Sequence, residues 1–457
     1  MFLVARLPAQ QLELIKKTTV ERKALTFAEG SATRFGSAVN GRSHQQSPIT
    51  TYRGYQYVTY FDAERRVCIA RRKLPSGAWQ IIQFKDHLFE TNDSHNTAVL
   101  GICDKDGTIH MAFDHHATRL NYRVSKLGAA HDPDSVRWTV DLFGKKQHTL
   151  GSVKPDKKVT YPRFFSASNG NLMLYYRAVT SANGHGMIEE YDGDRHDWTP
   201  GLGKFISRDI GTYTVAGKTS RFRCPYMNSL SYAGDRLHAS WVWRDRFEKT
   251  HPNNQHDLCY AYSDDHGRTW HNSRGKFIGK TRKDPIHLNS PGLVVLPIPT
   301  GSNLSNQNTH YAYPDGSIHL VMIQRSEGAR GRRYHHYWRT SEGEWGSEIL
   351  PFSGKRPKLV GAGDRSLVLV YTRNSQLHAA IGVAYPDQYK WKWVTVKLPE
   401  RHSCYGEALL DLERWEQDKV LSIYSQEEPS RAVRTRSSKP VDGMPSPLNV
   451  VDYRFTK

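Results

Sequence analysis

The chain has 457 residues, and its 64 Lys and Arg outnumber its 45 Asp and Glu, giving a formal net charge of +19. With 38% hydrophobic residues, 24 Tyr, 16 Phe and 11 Trp, the composition excludes intrinsic disorder and predicts a large core. No run approaches the roughly 20 apolar residues that a membrane-spanning helix needs, so no membrane partner is expected. The excess of positive charge indicates a polyanionic partner.

Seven β-hairpin units follow one another along the chain. The first runs from Pro48 through Gly54 to Tyr60, and the clearest runs from Asn96 to Tyr122 around Asp106-Gly107. Asp-Gly between two β-rich runs predicts a tight turn, because glycine supplies the positive φ that such a turn requires. The other five units are built around Asn169-Gly170, Gly234-Asp235, Asp315-Gly316, Gly363-Asp364 and the segment from Glu407 to Tyr424.

A tryptophan closes many of these units after the third predicted strand: Trp79, Trp138, Trp198, Trp270, Trp345 and Trp393. The fourth unit ends in the stretch from Ser263 to Trp270, which fits the Asp-box pattern S-x-D-x-G-x-T-W. This box is typical of the turn between the third and fourth strands of a propeller blade.

The repeats predict an all-β protein, a seven-bladed β-propeller that forms a single domain over residues 1–457. We expect the N-terminal segment 1–40, in particular Ala32 to Val39, to close the ring with a C-terminal strand at 449–455. Long loops are expected at Thr199 to Thr219 and at Asp245 to Gln255. Helical spacing of apolar residues occurs only at Gln10 to Lys17.

In a propeller, the starts of the first strands and the ends of the second strands share one face. Singly, each polar residue at such a position can be an ordinary surface or packing residue. Their convergence from adjacent blades favours a functional site at one funnel mouth. The candidates are His95, Asn96, Asp114, His115 and His116 of the second blade, Tyr161 and Arg177 of the third, Arg223, Tyr226, Arg244 and Asn254 of the fourth, and Asn308 and Arg325 of the fifth.

This set of residue types suits β-elimination from a uronic acid. An arginine or amide can neutralise the carboxylate and so acidify the C5 proton, while His and Tyr can act as base and acid. A glycoside hydrolase instead needs two carboxylates flanking the bond, and a sialidase needs an arginine triad with a Tyr–Glu pair. Asp114 and Glu190 show no such pairing in the sequence.

Three segments resemble the BNR-type propeller polysaccharide lyases, which include the ulvan lyases and the rhamnose-α-1,4-glucuronate lyases. They are Ser94-His95-Asn96, the run from Phe113 to Arg123, and the run from Thr160 to Phe165. The resemblance implies a lyase that cuts the rhamnose-(1→4)-glucuronate linkage of an acidic, ulvan-type polysaccharide by β-elimination. It implies that His95 and His115 are active-site histidines, that Tyr161 moves the proton and that Arg177 neutralises the carboxylate. It does not decide whether His95 or Tyr161 is the base.

Asn96, Arg223, Tyr226, Arg244 and Asn254 are predicted substrate contacts. No cofactor is required for the chemistry, although the resemblance leaves open a structural calcium or zinc ion. No spacing selects a metal site among His238, His251, His256, Cys259, His402 and Cys404.

Three alternatives remain: an exo-acting rhamnose-α-1,4-glucuronate lyase, a sialidase-like glycoside hydrolase, and a non-catalytic polyanion-binding propeller. We expect a monomer that binds an acidic polysaccharide or oligosaccharide rather than nucleic acid. No signal peptide is visible at Met1 to Pro8, so either a leader has been removed or the protein is intracellular. The expected location is secreted or periplasmic.

Overall fold

A computed structural model describes residues 11–155, 158–220, 222–247, 254–326, 328, 330–363, 365–385 and 390–456. Within them the chain folds into seven antiparallel sheets that follow one another as the blades of a propeller. This confirms the predicted fold class. No helix of the described part is long and apolar enough to cross a membrane.

The first three blades run from Ile49 to Ile206. Blade 1 consists of Ile49–Tyr52, Tyr55–Phe61, Arg66–Lys73 and Gln80–Leu88; blade 2 of Ala98–Ile102, Ile109–Phe113 and Tyr122–Val124; blade 3 of Val159–Ser166, Leu172–Thr180, Asn183–Asp192 and Asp197–Ile206. After the third strand of blade 2 comes an irregular segment that contains the 3₁₀ helix Val140–Leu142.

The next three blades run from Phe222 to Val396. Blade 4 consists of Phe222–Ala233, Arg236–Arg246, Gln255–Ser263, Thr269–His271 and Phe277–Lys280, with Val294–Leu296 paired to its third strand; blade 5 of Thr309–Ala312, Ile318–Gln324, Arg333–Arg339 and Trp345–Ile349; blade 6 of Lys358–Gly361, Ser366–Arg373, Gln376–Ala384 and Trp391–Val396. The predicted turn residue Asp364 lies outside the described residues.

Blade 7 joins the two ends of the chain. Its strands are Leu409–Leu410, Val420–Gln426, Ser446–Thr456 and, at the outer edge, Gln11–Ala24. The C-terminal strand pairs antiparallel with the N-terminal one from Thr456–Gln11 to Ser446–Ala24. The apolar spacing read as helical at Gln10 to Lys17 therefore belongs, from Gln11 onward, to a strand.

The segment Ala32 to Val39 was expected in the closing blade and is not part of it. It runs instead across the funnel mouth, where Arg34 bridges to Asp93. The predicted loop from Thr199 to Thr219 is also shorter than expected, because Asp197–Ile206 is a strand and Tyr213–Val215 pairs with Lys218–Ser220 in a small hairpin. Of the predicted loop from Asp245 to Gln255, residues 248–253 lie outside the described part.

Short elements complete the described chain. Glu29–Gly30 pairs with Arg434–Thr435 in the parallel direction, and His116–Thr118 leaves blade 2 to join blade 3. The α-helix Leu412–Asp418 starts at Asp411, whose carboxylate accepts a hydrogen bond from the Arg414 backbone N–H. This is the usual way to satisfy the first free N–H groups of a helix.

Buried hydrophobic residues form seven clusters, one for each pair of neighbouring blades. Alternate side chains of each strand point to opposite faces of its blade, so every blade contributes to two clusters. Trp198, Trp270, Trp345 and Trp393 lie in fourth strands, which places the closing tryptophans at blade interfaces. The core therefore surrounds a central axis lined by the first strands.

The Asp box adopts the predicted turn between the third and fourth strands of blade 4. Asp265 accepts from the Thr269 backbone N–H at 2.7 Å and from the Thr269 hydroxyl at 2.7 Å, and the Ser263 hydroxyl accepts from the Gly267 N–H at 2.8 Å. Gly267 has a φ of +82°, which a side chain would strain. This turn lies on the face opposite the funnel mouth.

Candidate active site

Tyr161 lies at the start of the first strand of blade 3, where the β-ladder is interrupted. The register to the second strand shifts between Thr160 and Arg163, so Tyr161 and Pro162 are left out of the pairing. Tyr161 has a φ of +55°, an uncommon conformation for a bulky residue that costs backbone energy. Strain of this kind is common where a side chain must be aimed into a functional site.

Three imidazole rings are stacked beside Tyr161. The His95 ring lies with its centroid 4.2 Å from that of His116 and 4.2 Å from that of His44. The His44 ring is in turn stacked on Tyr161 at 5.4 Å. A row of three histidines and a tyrosine therefore lines one wall of the funnel.

Asp93 holds two of these histidines in place. Its two carboxylate oxygens accept from the Nδ1 atoms of His95 and His116, each at 2.6 Å. Because Nδ1 of each ring carries the proton, Nε2 of each neutral ring is left as a proton acceptor. Neither Nε2 atom has a hydrogen-bond partner among the described residues.

His115 was predicted as the second active-site histidine, but the structure places it outside this row. Its ring is 1% exposed, and its Nε2 accepts from the Asn121 backbone N–H at 2.8 Å. His116 lies beside His95 instead, because the strand His116–Thr118 pairs with the strand that carries Tyr161. The chain turns sharply there, with positive φ at Asp114 and Ala117, and nothing in the sequence predicts that turn.

Arg177 lies behind Tyr161 in the paired strand of blade 3. Its guanidinium carbon is 4.8 Å from the centroid of the Tyr161 ring and 5.0 Å from that of Tyr226. The side chain is fully buried, and none of its three nitrogen atoms has a hydrogen-bond partner among the described residues. A buried cation in this state is costly unless negative charge comes near it.

Tyr226 and Arg244 extend this part of the site along blade 4. Arg244 Nη1 donates to the Tyr226 hydroxyl at 2.9 Å and to the Ser181 hydroxyl at 3.0 Å. The Tyr226 ring lies 6.2 Å from the Tyr161 ring. The structure thus brings Tyr226 and Arg244 together with Tyr161 and Arg177.

Arg223 and Asn254, both predicted substrate contacts, lie in a separate buried cluster. Arg223 donates to the Gly211 carbonyl at 2.7 Å and to Asp245 at 3.1 Å, while Asn254 donates to the Asp245 carbonyl. Arg223 thus holds the loop between blades 3 and 4, and Asn254 bonds within blade 4. Neither is in the imidazole row. The fifth-blade candidates stay apart as well: Asn308 is buried and donates to the Ser305 carbonyl, and Arg325 is exposed.

Asn96 belongs to the imidazole side of the site. Its amide donates to Asp114 at 2.5 Å, and Asp114 also accepts from His87 Nε2 at 3.0 Å. The Asn96 side chain is buried, and its amide oxygen has no hydrogen-bond partner among the residues that the structure describes. Asn96 therefore supports the loop that presents His95.

Burial sets the protonation of the key groups. Burial lowers the pKa of His95 to about 4, although Asp93 works in the opposite direction. Burial also raises the pKa of the Tyr161 hydroxyl well above its ordinary value, against the nearby charge of Arg177. For Asp93, burial alone would raise the pKa, but the hydrogen bonds from His116 and His95 outweigh it and hold the pKa well below normal. At neutral pH the site therefore holds a neutral His95, a protonated Tyr161 and an ionised Asp93.

Two arginines lie at the His44 end of the imidazole row. Arg356 Nε donates to Glu407 at 2.9 Å, and Glu407 also accepts from the Ser43 backbone N–H at 2.8 Å. Arg356 and Arg42 are close enough to His44 to lower the pKa of its ring, in addition to the larger effect of burial. The sequence reasoning missed both arginines, because they precede their strands rather than start or end them.

Phe35 is a further residue that the sequence reasoning missed. It belongs to the segment Ala32 to Val39, its side chain is 63% exposed, and its ring meets His95 edge-on at 4.4 Å. An exposed aromatic ring beside polar groups is a suitable surface for the apolar face of a sugar.

One group of residues in the described part could hold a metal ion. Asp93, His95 and His116 offer ligand atoms within 4.8 Å of one another. A metal there would have to replace the two Nδ1–H hydrogen bonds that Asp93 already accepts. Of the candidate metal ligands considered from sequence, His256 is hydrogen-bonded to Asp245 and Asp257, and His238 to Tyr260. His251 lies outside the described residues.

Comparison with protein families gives one match over most of the blades. The model of a family described as "BNR repeat-containing family member" matches residues 55–351. Among curated proteins, the long isoform of ulvan lyase from Alteromonas sp. (strain LOR) is 28% identical over 326 residues, which is 62% of this chain and 32% of that protein. The chain therefore spans about a third of the length of this relative.

Two solved structures share the whole architecture. The polysaccharide lyase Uly1 superposes with a TM-score of 0.73 at 18% identity, covering 97% of this chain and 99% of that one. An ulvan lyase of family PL25 bound to -[GlcA(1-4)Rha3S]- has a TM-score of 0.63 at 12% identity, covering 94% and 96%. At these identities the likeness shows the fold.

Proposed function

The chain belongs to the BNR repeat-containing family, and from that premise we propose that it is a polysaccharide lyase that cleaves an acidic polysaccharide by β-elimination. The finer proposal is that the bond cut is rhamnose-(1→4)-glucuronate in an ulvan-type chain. Support comes from the 28% identity to an ulvan lyase and from the polar row at the funnel mouth.

The observation that carries the proposal is the state of Arg177. Its guanidinium is fully buried, touches two tyrosine rings and has no hydrogen-bond partner in the part of the chain that the structure describes. β-Elimination from a uronate places negative charge in this region twice: on the substrate carboxylate as C5 loses its proton, and on Tyr161 if its hydroxyl protonates the leaving oxygen. A site that is short of negative charge at rest suits a transition state that brings it.

His95 is proposed as the base and Tyr161 as the acid. The His95 ring is neutral above about pH 4, and its Nδ1–H is held by Asp93, so Nε2 can accept a proton. Tyr161 keeps its proton at neutral pH because burial raises its pKa. The two rings lie 5.7 Å apart between centroids, which lets them act on the same sugar.

The proposed reaction balances without a cofactor. The C5–H bond of glucuronate breaks, its proton moves to His95 Nε2, and its electrons form the C4=C5 double bond. The bond between glucuronate C4 and the glycosidic oxygen O4 breaks. O4 leaves with the rhamnose and takes the proton of the Tyr161 hydroxyl. Proton return from His95 to Tyr161 through solvent restores the resting site.

The proposed substrate class follows from charge as well as from similarity. A net charge of +19 favours a polymer with many anionic groups, and Arg42 and Arg356 add local positive charge beside His44 of the imidazole row. The related PL25 structure holds a chain of glucuronate and sulfated rhamnose. We extend that substrate class to this protein. Exo action, a secreted or periplasmic location, a monomeric state and a structural metal stay predictions.

A sialidase-like hydrolase is a weaker reading of this site. Asp93 is occupied by His95 and His116, and Asp114 by His87 and Asn96, so neither carboxylate of the described row is poised beside a leaving oxygen. Tyr161 and Tyr226, which lie next to Arg177, have no acidic hydrogen-bond partner among the described residues. A non-catalytic binding propeller would need neither the Asp93-held imidazoles nor the strained Tyr161.

The test is incubation with ulvan and with rhamnosyl-glucuronate chains from gum arabic. The proposal expects new ultraviolet absorbance from the unsaturated uronate, which product sizing over time then divides into endo or exo action. No absorbance at any pH from mildly acidic to alkaline would reject the lyase assignment.

A further inference from the structure

A second cavity lies far from the funnel, between blades 5 and 6 on the opposite face. Its volume is about 600 Å³. The strand directions place it there, because it is lined by the turn after Thr309–Ala312, the end of Arg333–Arg339 and the turn before Ser366–Arg373. None of the residues of the imidazole row contributes to it.

A chain of three polar side chains ends at the floor of this cavity. Glu348 Oε1 accepts from His336 Nδ1 at 3.1 Å, and His336 Nε2 accepts from His319 Nδ1 at 3.1 Å. Both histidines are neutral at physiological pH, because burial lowers the pKa of His336 to about 3 and that of His319 well below its usual value. The carboxylate end of the chain thereby fixes the tautomer of both rings.

His319 Nε2 is therefore a hydrogen-bond acceptor that receives no hydrogen bond from the described residues. His319 is 4% exposed and lines the cavity. The hydrogen bond that its Nε2 can accept is therefore available to a donor that arrives with a ligand or with water.

The walls around this acceptor are aromatic. Trp391 meets the His319 ring edge-on at 4.7 Å, and Trp338 lies on the other side of His336 at 4.9 Å. Arg339 also lines the cavity, and its guanidinium donates to the Gly316, Thr340 and Ser273 carbonyls. Aromatic surface and an imidazole acceptor are groups that bind a pyranose ring with its hydroxyl donors.

We propose that this cavity is a second saccharide-binding site, which seats one pyranose unit of a polysaccharide with a sugar hydroxyl donating to His319 Nε2. It is separate from the lyase site and performs no chemistry. A site on the back of the propeller would keep the protein on its polymer while the funnel is empty. The inference does not depend on which bond, if any, the funnel cleaves.

The experiment uses the tryptophans as local reporters. The protein is labelled with ¹⁵N at the indole nitrogens and titrated with rhamnose and with glucuronic acid in separate runs. The resonances of Trp338 and Trp391, assigned through Trp→Phe variants, should shift with one of the two sugars. Binding should weaken at least about tenfold in His319→Phe, which keeps a ring but loses the acceptor.

Ala384→Trp provides a second test, because Ala384 lines the cavity and the larger side chain would fill it. Its matched control is Val394→Trp, at a 54% exposed position of the same blade, which should bind sugar like the wild type. Turnover of a short oligosaccharide should be the same in all of these variants. If that turnover is absent throughout, the lyase assignment fails and the cavity proposal is still decided by the indole shifts.

Two results would overturn the proposal. One is the absence of any indole shift up to high millimolar sugar, which would mean that the cavity holds only water. The other is equal sugar affinity in wild type, His319→Phe and Ala384→Trp, which would place the binding elsewhere. If Ala384→Trp does not fold, His319→Phe alone carries the decision.

Discussion

Two clusters of buried ionisable residues lie on neighbouring blades, and they treat an arginine in opposite ways. Arg223 on blade 4 is fully buried and donates to Asp245, which also accepts from His256 at 2.8 Å. Arg177 on blade 3 is equally buried and has no hydrogen-bond partner within the described ranges. Both are strand residues in blades of the same design.

We infer from this difference that Arg223 stabilises the fold and that Arg177 serves the proposed reaction. Around Arg223, burial alone would lower the pKa of His256, but hydrogen bonds to Asp245 and Asp257 outweigh it and raise the pKa, so charges are balanced at rest. The positive charge of Arg177 has no such carboxylate partner among the described residues, and its guanidinium lies against the rings of Tyr161 and Tyr226. We infer that the funnel site is balanced only when a uronate is bound and reacting.

The largest effect is expected from Tyr161→Phe, which keeps the ring against Arg177 and removes the hydroxyl. Turnover should fall by about 10³-fold, in the range found for loss of a positioned proton donor. Steady-state kinetics on ulvan measures it, with thermal melting to show an intact fold. Turnover within tenfold of wild type would remove Tyr161 from the reaction.

The variants Arg177→Met and Arg223→Met test the contrast between the unpaired and the paired arginine. Arg177→Met should lower kcat at least about 100-fold while unfolding stability stays the same or rises, since an unpaired buried cation is removed. Arg223→Met should cost about 3–5 kcal/mol of stability, because Asp245 loses a partner while buried. Chemical denaturation and kinetics on both variants check this. Equal destabilisation by both would show that Arg177 is structural.

A smaller effect is expected from Asp93→Asn, which tests a positioning residue. Loss of the carboxylate should cost about 10–100-fold in kcat by freeing the orientation of His95 and His116. The acid limb of the kcat/KM profile should also move. In the wild type it should lie near the His95 pKa of about 4, and Asp93 raises that pKa, so the variant's limb should lie lower. An unmoved limb with reduced stability would indicate a purely structural aspartate.

The smallest effect concerns the scaffold histidines that burial keeps neutral. Burial lowers the pKa of His110 to about 3 and that of His238 to about 4, while unfolded histidine titrates near 6.5. Below that value the unfolded chain binds more protons than the folded one, so stability should fall as pH falls from about 6.5 to 4. Each such histidine should contribute up to about 1.4 kcal/mol per pH unit. Denaturation at pH 7, 6 and 5 measures it, and a flat stability would contradict the burial.

The hairpin repeats and the Asp box were sufficient to predict the blades, because turn residues and alternating strands are local signals. The closing strand Gln11–Ala24 was not predicted as such, since its partner Ser446–Thr456 lies at the other end of the chain and its own pattern is that of an exposed edge. Long-range pairing leaves little trace in a single sequence.

The site shows the same division. His95, Tyr161, Arg177, Tyr226 and Arg244 were predicted from strand ends, and the structure brings them together. His44, Asp93 and Phe35 were missed because loops bring them in, and His116 takes the place predicted for His115 because positive φ at Asp114 and Ala117 turns the chain. Arg223 and Asn254 stand at the right strand ends, but the donors of Arg223 are taken by the loop between blades 3 and 4 and the amide of Asn254 by Asp245.

The most direct test of the lyase assignment is the mass of the ulvan fragment that carries the uronate at its newly formed end. β-Elimination predicts an unsaturated uronate, lighter by one water than the saturated sugar, formed by the wild type and formed about 10³-fold more slowly by Tyr161→Phe. A saturated product of full mass would mean hydrolysis and would contradict the account.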